Sequence, residues 1–166
     1  MVIMVMVFAI KTTFMQKILI SLLIFAAGIQ AALAWSPPPH TFVELPSGIS
    51  GQYYFFEEKI EIDSNLDFKY GHAWWVYGHE YGHALFRDVS IYNYYGIPVP
   101  ESIWPDCDSY ITDMATYNVA EDVAESFAAF IHINDAFYRE AKKDRCIALK
   151  YLAVKRRILE KLGNGN

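Results

Sequence analysis

The residues with the clearest chemical potential form the segment HEYGH at residues 79–83, which has the pattern H-E-x-x-H. The surrounding apolar segment, 72–86, predicts a helix, so that His79 and His83 lie one turn apart on the same face. Two imidazoles in this arrangement can bind one zinc ion. Glu80 lies beside the first ligand, where a carboxylate can take a proton from water. The pattern therefore predicts a hydrolytic zinc site, and the alternative is a chance match on a polar helix surface.

A second segment, 120–130, pairs two carboxylates at the same spacing. Glu121 and Glu125 are one helical turn apart, and apolar residues beside them predict an amphipathic helix. A catalytic zinc site needs three protein ligands and an open fourth position, and Glu121 can supply the third ligand. Glu125 can accept a hydrogen bond from the outer nitrogen of a ligand histidine and fix its tautomer. Without the first segment, this acidic pattern would be typical of a solvated helix face.

Together, HEYGH at residues 79–83 and EDVAE at residues 121–125 resemble the gluzincin clan of zinc metallopeptidases. The closest resemblance is to small bacterial zincins and to the catalytic domain of anthrax lethal factor, and it covers residues 72–132. It implies the same zinc ligands, the same general base and the same supporting glutamate as the spacing does. It also implies a small zincin-like core and a peptide or protein substrate.

The residue that would stabilise the oxyanion departs from this family pattern. Such relatives often carry a tyrosine seven residues before the ligand glutamate, and that position is Met114 in this chain. Tyr110 and Tyr117 are the neighbouring tyrosines that would have to donate to the developing oxyanion instead. The alternative to an active peptidase is therefore a catalytically inactive zinc-binding or interaction domain of the same fold.

Other patterns of metal ligands fit the sequence less well. The extended metzincin motif needs a glycine and a further ligand at the positions of Phe86 and Val89. Two further histidines could have other roles at such a site: His72 could line the cleft, and His132 could donate to an oxyanion. Three aspartates after the motif helix are alternative ligands for an aspartate-type zincin, although none lies in a recognisable helical frame: Asp106, Asp108 and Asp113.

The amino-terminal segment, residues 1–34, predicts export. A basic residue is followed by an apolar run, 18–29, and by small residues that end in A-x-A at Ala34, which is typical of a cleaved signal peptide. The run is shorter than the ~20 residues that span a membrane. We therefore expect a secreted or periplasmic protein without a stable membrane span, rather than a retained membrane helix. Residues 1–14 precede an already complete signal, which indicates Met15 as the true start.

The remaining chain, residues 35–166, predicts one domain with an α+β fold, because strands come first and helices follow. A net charge of −5 and the lack of a nucleic-acid-binding motif argue against nucleic acid as a partner. A third hypothesis is an exported binding or inhibitor domain in which HEYGH is a coincidence. The predicted elements are strands at 41–45 and within 49–62, helices at 67–87, 115–133 and 135–161, and a long loop at 88–112.

Two cysteines, Cys107 and Cys146, remain after removal of the leader. In an exported protein we expect a disulfide between them, with two free thiols as the alternative. The bond would join the loop before the second metal helix to the last helix. A zinc-binding role is less favoured, because neither cysteine has a second ligand at short spacing.

Overall fold

The computed structural model describes residues 38–67 and 71–163. The predicted signal peptide, residues 1–34, and the predicted start at Met15 lie outside the described residues. Apart from the last residues of the C-terminal helix, the strands and helices belong to one compact unit, Pro37–Leu159. Among the described helices, none combines the length and apolar character that crossing a membrane requires.

The fold is α+β, and the predicted order of strands followed by helices is confirmed. The strands form one sheet, and the helices follow it along the described chain. The strands are β1 (His40–Val43), β2 (Gly51–Tyr54) and β3 (Lys59–Asp63), and the helices are α1 (His72–Leu85), α2 (Arg87–Tyr94), α3 (Val119–His132), α4 (Asn134–Ala141) and α5 (Arg145–Gly163), with a short 3-10 turn at Met114–Thr116.

The sheet has the strand order β1-β3-β2, with β3 parallel to β1 and antiparallel to β2. The side chains of β3 alternate in burial, because successive residues of a strand face opposite sides of the sheet. Ile60 and Ile62 are fully buried, whereas their neighbours are only partly buried. β2 is an edge strand of this sheet, and it packs beside α1.

Helices α1 and α3, which carry the candidate ligands, pack directly against each other. They approach closely at Gly82, where an added Cβ would come within 2.7 Å of the Cα of Ala124. Because this contact is with backbone, a larger residue at Gly82 would push the two helices apart. Ala120 and Ala128, one turn before and after Ala124, are also buried and keep this face of α3 narrow. Small residues therefore set the distance between the two ligand-bearing helices.

The prediction of one long loop at 88–112 is wrong in its first part. Helix α2 begins at Arg87 and ends at Tyr94, and the irregular segment starts only after it. Val89, which is 1% exposed, is the one buried residue of this short helix. A single apolar anchor among polar and aromatic neighbours produces no helical periodicity, which explains why the pattern did not indicate the helix.

The prediction of one last helix at 135–161 is also wrong, because α4 and α5 are separate. The chain breaks at residues 142–144, and Asp144 then accepts a hydrogen bond from the backbone N–H of Ile147 at 3.0 Å. This is the usual role of an aspartate at a helix start. Cys107 and Cys146 form a disulfide with an S–S distance of 2.04 Å, which joins the irregular segment to the first turn of α5.

Candidate metal centre

Three side chains from α1 and α3 converge on one point. His79 Nε2 lies 3.1 Å from Glu121 Oε2 and 3.1 Å from His83 Nε2. His83 Nε2 lies 3.6 Å from Glu121 Oε1. One ligand atom from each residue lies within 4.8 Å of the others, so the group could hold a metal ion. In the described chain, His79, His83 and Glu121 are the group of histidine, cysteine and acidic residues with this geometry.

Glu125 fixes the orientation of the His79 ring. Its Oε1 lies 2.7 Å from His79 Nδ1, so that the opposite nitrogen, Nε2, points toward His83 and Glu121. The same carboxylate accepts hydrogen bonds from Trp75 Nε1 at 3.2 Å and from Thr112 Oγ1 at 2.7 Å. A carboxylate with several donors is held in place, and it therefore limits the rotation of the imidazole that it contacts.

The histidines of this group have pKa values displaced in opposite directions. Burial disfavours the charged form of His79, but hydrogen bonds to Glu121 and Glu125 outweigh burial and raise its pKa to about 10. Burial and the charge of His79 lower the pKa of His83 to about 4. Burial acts to raise the pKa of Glu121, yet the hydrogen bond to His79 and the charges of the two histidines together outweigh burial and lower it. The carboxylates thus stabilise positive charge at this point, which is the property that a cation site requires.

Glu80 lies beside this group and is 6% exposed. Burial raises the pKa of Glu80 to about 7, although the charge of His79 and the backbone N–H of Tyr53, which donates to the carboxylate, act in the opposite direction. β2 passes close to this side chain, because an added Cβ at Gly51 would lie 2.9 Å from Glu80 Cγ. A carboxyl group with a pKa near neutrality can both accept a proton and return it.

A cleft of about 620 Å³ contains the group and runs along the edge strand β2. Its lining includes Ile49, which precedes β2, and Phe55, which follows it. The first residue of α1, His72, and Tyr94 of α2 also line it. The candidate ligands therefore lie on the wall of an open cleft rather than in a closed cavity.

The two tyrosines considered as oxyanion donors lie outside this cleft lining. Tyr117 is 76% exposed, and Tyr110, 40% exposed, packs its ring against Lys150 Nζ at 4.2 Å. Met114, at the position where relatives carry the tyrosine, does line the cleft. The geometry thus brings together the predicted ligands, the predicted base and the supporting glutamate, and it does not bring Tyr110 or Tyr117 to them.

The two other histidines and the three aspartates considered from the sequence lie apart from the three candidate ligands. His72 lines the cleft, whereas His132 packs beside the ring of Trp75, with ring centroids 6.0 Å apart. The three aspartates considered as alternative ligands are exposed and lie outside the metal-binding group of the described residues: Asp106, Asp108 and Asp113.

Three residues at this site were not indicated by the sequence pattern. Trp75 precedes His79 by four residues, so helical spacing alone could have placed it on the same face. Thr112 lies in an irregular segment, and Tyr53 contributes only its backbone N–H, so neither has a sequence signal. No protein-family model, curated protein or solved structure matches this chain.

Proposed function

We propose that this protein is an exported zinc-dependent metallopeptidase of the gluzincin type. One observation carries the proposal: His79, His83 and Glu121 converge on one point while Glu80 lies beside them on the wall of the same cleft. A structural zinc site is usually closed by four protein ligands, and it has no need for a buried carboxyl group next to an open cleft.

The chemistry of the donor set fits zinc. Two imidazole nitrogens and one carboxylate form a common ligand set of catalytic zinc sites, which leave one position open. His79 and His83 would each bind through Nε2, since Nδ1 of His79 is engaged by Glu125. When bound, zinc supplies a Lewis acid that makes water more acidic and polarises a carbonyl oxygen.

The remaining steps belong to the side chains of the protein. Glu80 accepts the proton from the attacking water and then donates it to the amine that leaves. Its burial and its contact with the Tyr53 N–H keep the carboxyl group in one orientation toward the cleft. Glu125 holds the His79 ring, and it thereby keeps the ligand nitrogen in place through both proton transfers.

The cleft suits an extended peptide. Its wall follows β2, an edge strand, and a peptide can pair with such an edge through backbone hydrogen bonds. This pairing would hold the chain of the substrate parallel to the cleft and place one carbonyl group beside Glu80. The selection of particular side chains would then depend on the residues at the two ends of the cleft.

The test is cleavage of a defined peptide mixture, followed by mass spectrometry, with a zinc assay on the same samples. We expect cleavage by the zinc-loaded protein, loss after chelation and recovery when zinc is restored. Glu80→Gln should keep zinc but lower kcat by about 10²- to 10⁴-fold, the usual contribution of a general base. Undiminished cleavage by Glu80→Gln would show that Glu80 is not the general base.

A non-catalytic zinc-binding domain is the second candidate function. It is favoured by the positions of Tyr110 and Tyr117 outside the cleft lining and by Met114 where relatives carry a tyrosine. This candidate predicts stoichiometric zinc that Glu121→Ala removes, without cleavage of any peptide in the mixture.

A further inference from the structure

Four aromatic rings cluster at the end of the cleft where β2 ends. Phe55 and Phe56, which directly follow β2, have ring centroids 4.3 Å apart. Tyr94, at the end of α2, lies 5.1 Å from Phe55 and 5.1 Å from Tyr95. Only two of these four rings, Phe55 and Tyr94, line the cleft. The cluster therefore has an inner pair that faces the cleft and an outer pair that does not.

The inner pair is held by more than ring contacts. Arg87, the first residue of α2, donates from Nε to the backbone carbonyl of Phe55 at 2.9 Å. Its Nη1 lies 2.9 Å from Glu58 Oε1, in the turn between β2 and β3. The turn that carries Phe55 is thereby attached to the helix that carries Tyr94. This attachment fixes the spacing of the two rings before any ligand binds, which lowers the entropic cost of binding.

The rest of the cleft offers no charge that would select a charged side chain. Its acidic lining residues, Glu80, Glu121 and Glu125, all belong to the candidate metal centre, and its lining in the described residues contains no lysine, arginine or aspartate. At the end of the cleft where Phe55 and Tyr94 lie, the lining also includes Ser90 and Asn93. The surface there is neutral and mainly aromatic, which is the composition that binds large apolar groups.

We propose that Phe55 and Tyr94 form a subsite that selects peptides with a large apolar side chain, aromatic ones above all. The inference rests on the proposed function, because it places the side chain of a peptide whose backbone lies along β2 and beside the metal centre. A phenylalanine side chain packed against the cleft side of the two rings would lose much of its contact with water. An alanine at the same position would leave the rings uncovered.

The test measures affinity rather than turnover. The probes are alanine peptides that carry a zinc-binding hydroxamate, with a single phenylalanine placed at each position in turn on either side of it. Calorimetry on the zinc-loaded protein should find one position at which phenylalanine binds about tenfold or more tightly than alanine. Tyr94→Ala and Phe55→Ala should each remove most of this preference. Tyr95→Ala is the matched control, because it removes a ring of the same cluster that does not line the cleft.

Each outcome separates the subsite from the peptidase activity. A phenylalanine preference that Tyr94→Ala removes supports the subsite even if no peptide is cleaved, in which case only the proposed activity fails. Equal affinity for the phenylalanine and alanine probes overturns the subsite, whether or not the protein cleaves peptides. A preference that persists in both Tyr94→Ala and Phe55→Ala also overturns it. Tyr94 is exposed, so its replacement should leave the fold intact, and circular dichroism checks this.

Discussion

Two buried polar networks lie on different sides of α3, although their acidic residues are neighbours in one short segment. Glu121 and Glu125 contact the histidines of α1. Asp122, between them in sequence, instead pairs with Lys150 of α5 at 2.8 Å. Helical geometry explains the division, because residues four apart share a face while adjacent residues point about 100° apart.

The ammonium group at the centre of the Lys150 network has a partner for each of its protons. Lys150 is 0% exposed, and besides Asp122 its Nζ contacts the backbone carbonyls of Ser109 at 2.7 Å and Cys107 at 3.3 Å. These partners match the three protons of an ammonium group. Trp104 Nε1 donates to Asp122 at 2.7 Å, which attaches the irregular segment to α3. The charge of Lys150 is therefore fully engaged in holding α3, α5 and the irregular segment together.

The network around His79 differs in where its atoms point. The outer nitrogen of His79 is engaged by Glu125, but Nε2 of both histidines and the carboxylate of Glu121 converge beside a cleft. In the Lys150 network the lysine side chain itself fills the centre of its partners, whereas the centre of the other group is a point that a metal cation could occupy. Burial and charge pairing are common to both networks, so they do not distinguish the candidate metal centre; the convergence of its ligand atoms beside a cleft does.

The largest expected effect is the loss of metal on replacing Glu121. Glu121→Ala removes one of three ligands, and we expect metal affinity to fall by more than the 10- to 100-fold that is typical of an outer residue. Asp122→Asn is the matched control, because it changes the adjacent acid on the other face and should leave affinity unchanged. Zinc competition with a chromophoric chelator measures both. Metal loss in the Asp122 variant alone would show that the third ligand has been assigned to the wrong residue.

The next effect tests the Lys150 network through the stability of the fold. Lys150→Met leaves the carboxylate of Asp122 buried without its cation, which should lower the free energy of unfolding by about 3–5 kcal/mol. Urea unfolding of the metal-free protein measures this. Adding Asp122→Leu to the same variant removes the unpaired charge and should recover most of the loss. A loss no larger than that of Lys155→Met, on the exposed side of α5, would show that the pair contributes little.

The metal-centre residues could be proposed from sequence because each depends on spacing within one helix. His79 with His83, and Glu121 with Glu125, are pairs four residues apart, and helical periodicity alone places each pair on one face. The order of strands and helices followed from the same local patterns. The sequence could not show that the two helices approach at Gly82 and Ala124, because that contact joins distant segments.

Features that depend on contacts between distant segments were not predictable. Lys150 belongs to a basic segment whose simplest interpretation is a solvated helix face, yet its side chain is fully buried against Asp122. Thr112 supports Glu125 from an irregular segment, where no periodicity indicates the direction of a side chain. The aromatic residues Phe55 and Tyr94 are 39 positions apart and meet only because the turn after β2 packs beside α2.

A smaller effect tests whether Glu125 supports the metal through His79. Glu125→Gln keeps the size of the side chain but weakens its bond to His79 Nδ1, and metal affinity should fall about 10- to 100-fold. Thr112→Val, which removes one donor to Glu125, should have a smaller effect in the same direction. Glu140→Gln, at an exposed position of α4 outside the cleft lining, is the control. Unchanged affinity in Glu125→Gln would mean that the ring of His79 is held by packing instead.

The smallest effect concerns the start of α3, which both networks share. Asn118 accepts hydrogen bonds from the backbone N–H groups of Ala120 at 2.9 Å and Glu121 at 3.0 Å. Asn118→Ala should therefore lower the free energy of unfolding by about 1 kcal/mol, and Asn118→Ser, which keeps a capping oxygen, should retain most of it.

Measuring this loss with and without zinc decides what the cap of α3 does. If Asn118 only stabilises the helix, Asn118→Ala costs the same in both forms, because the two networks depend equally on α3. If the cap also positions the Glu121 ligand, the variant should lose more stability in the zinc-bound form. Zinc binding requires the first turn of α3 to hold Glu121 in place, whereas the Lys150 network does not. An equal loss in the two forms would mean that Asn118 only stabilises the helix. A larger loss with zinc would mean that it also helps to position the metal ligand Glu121.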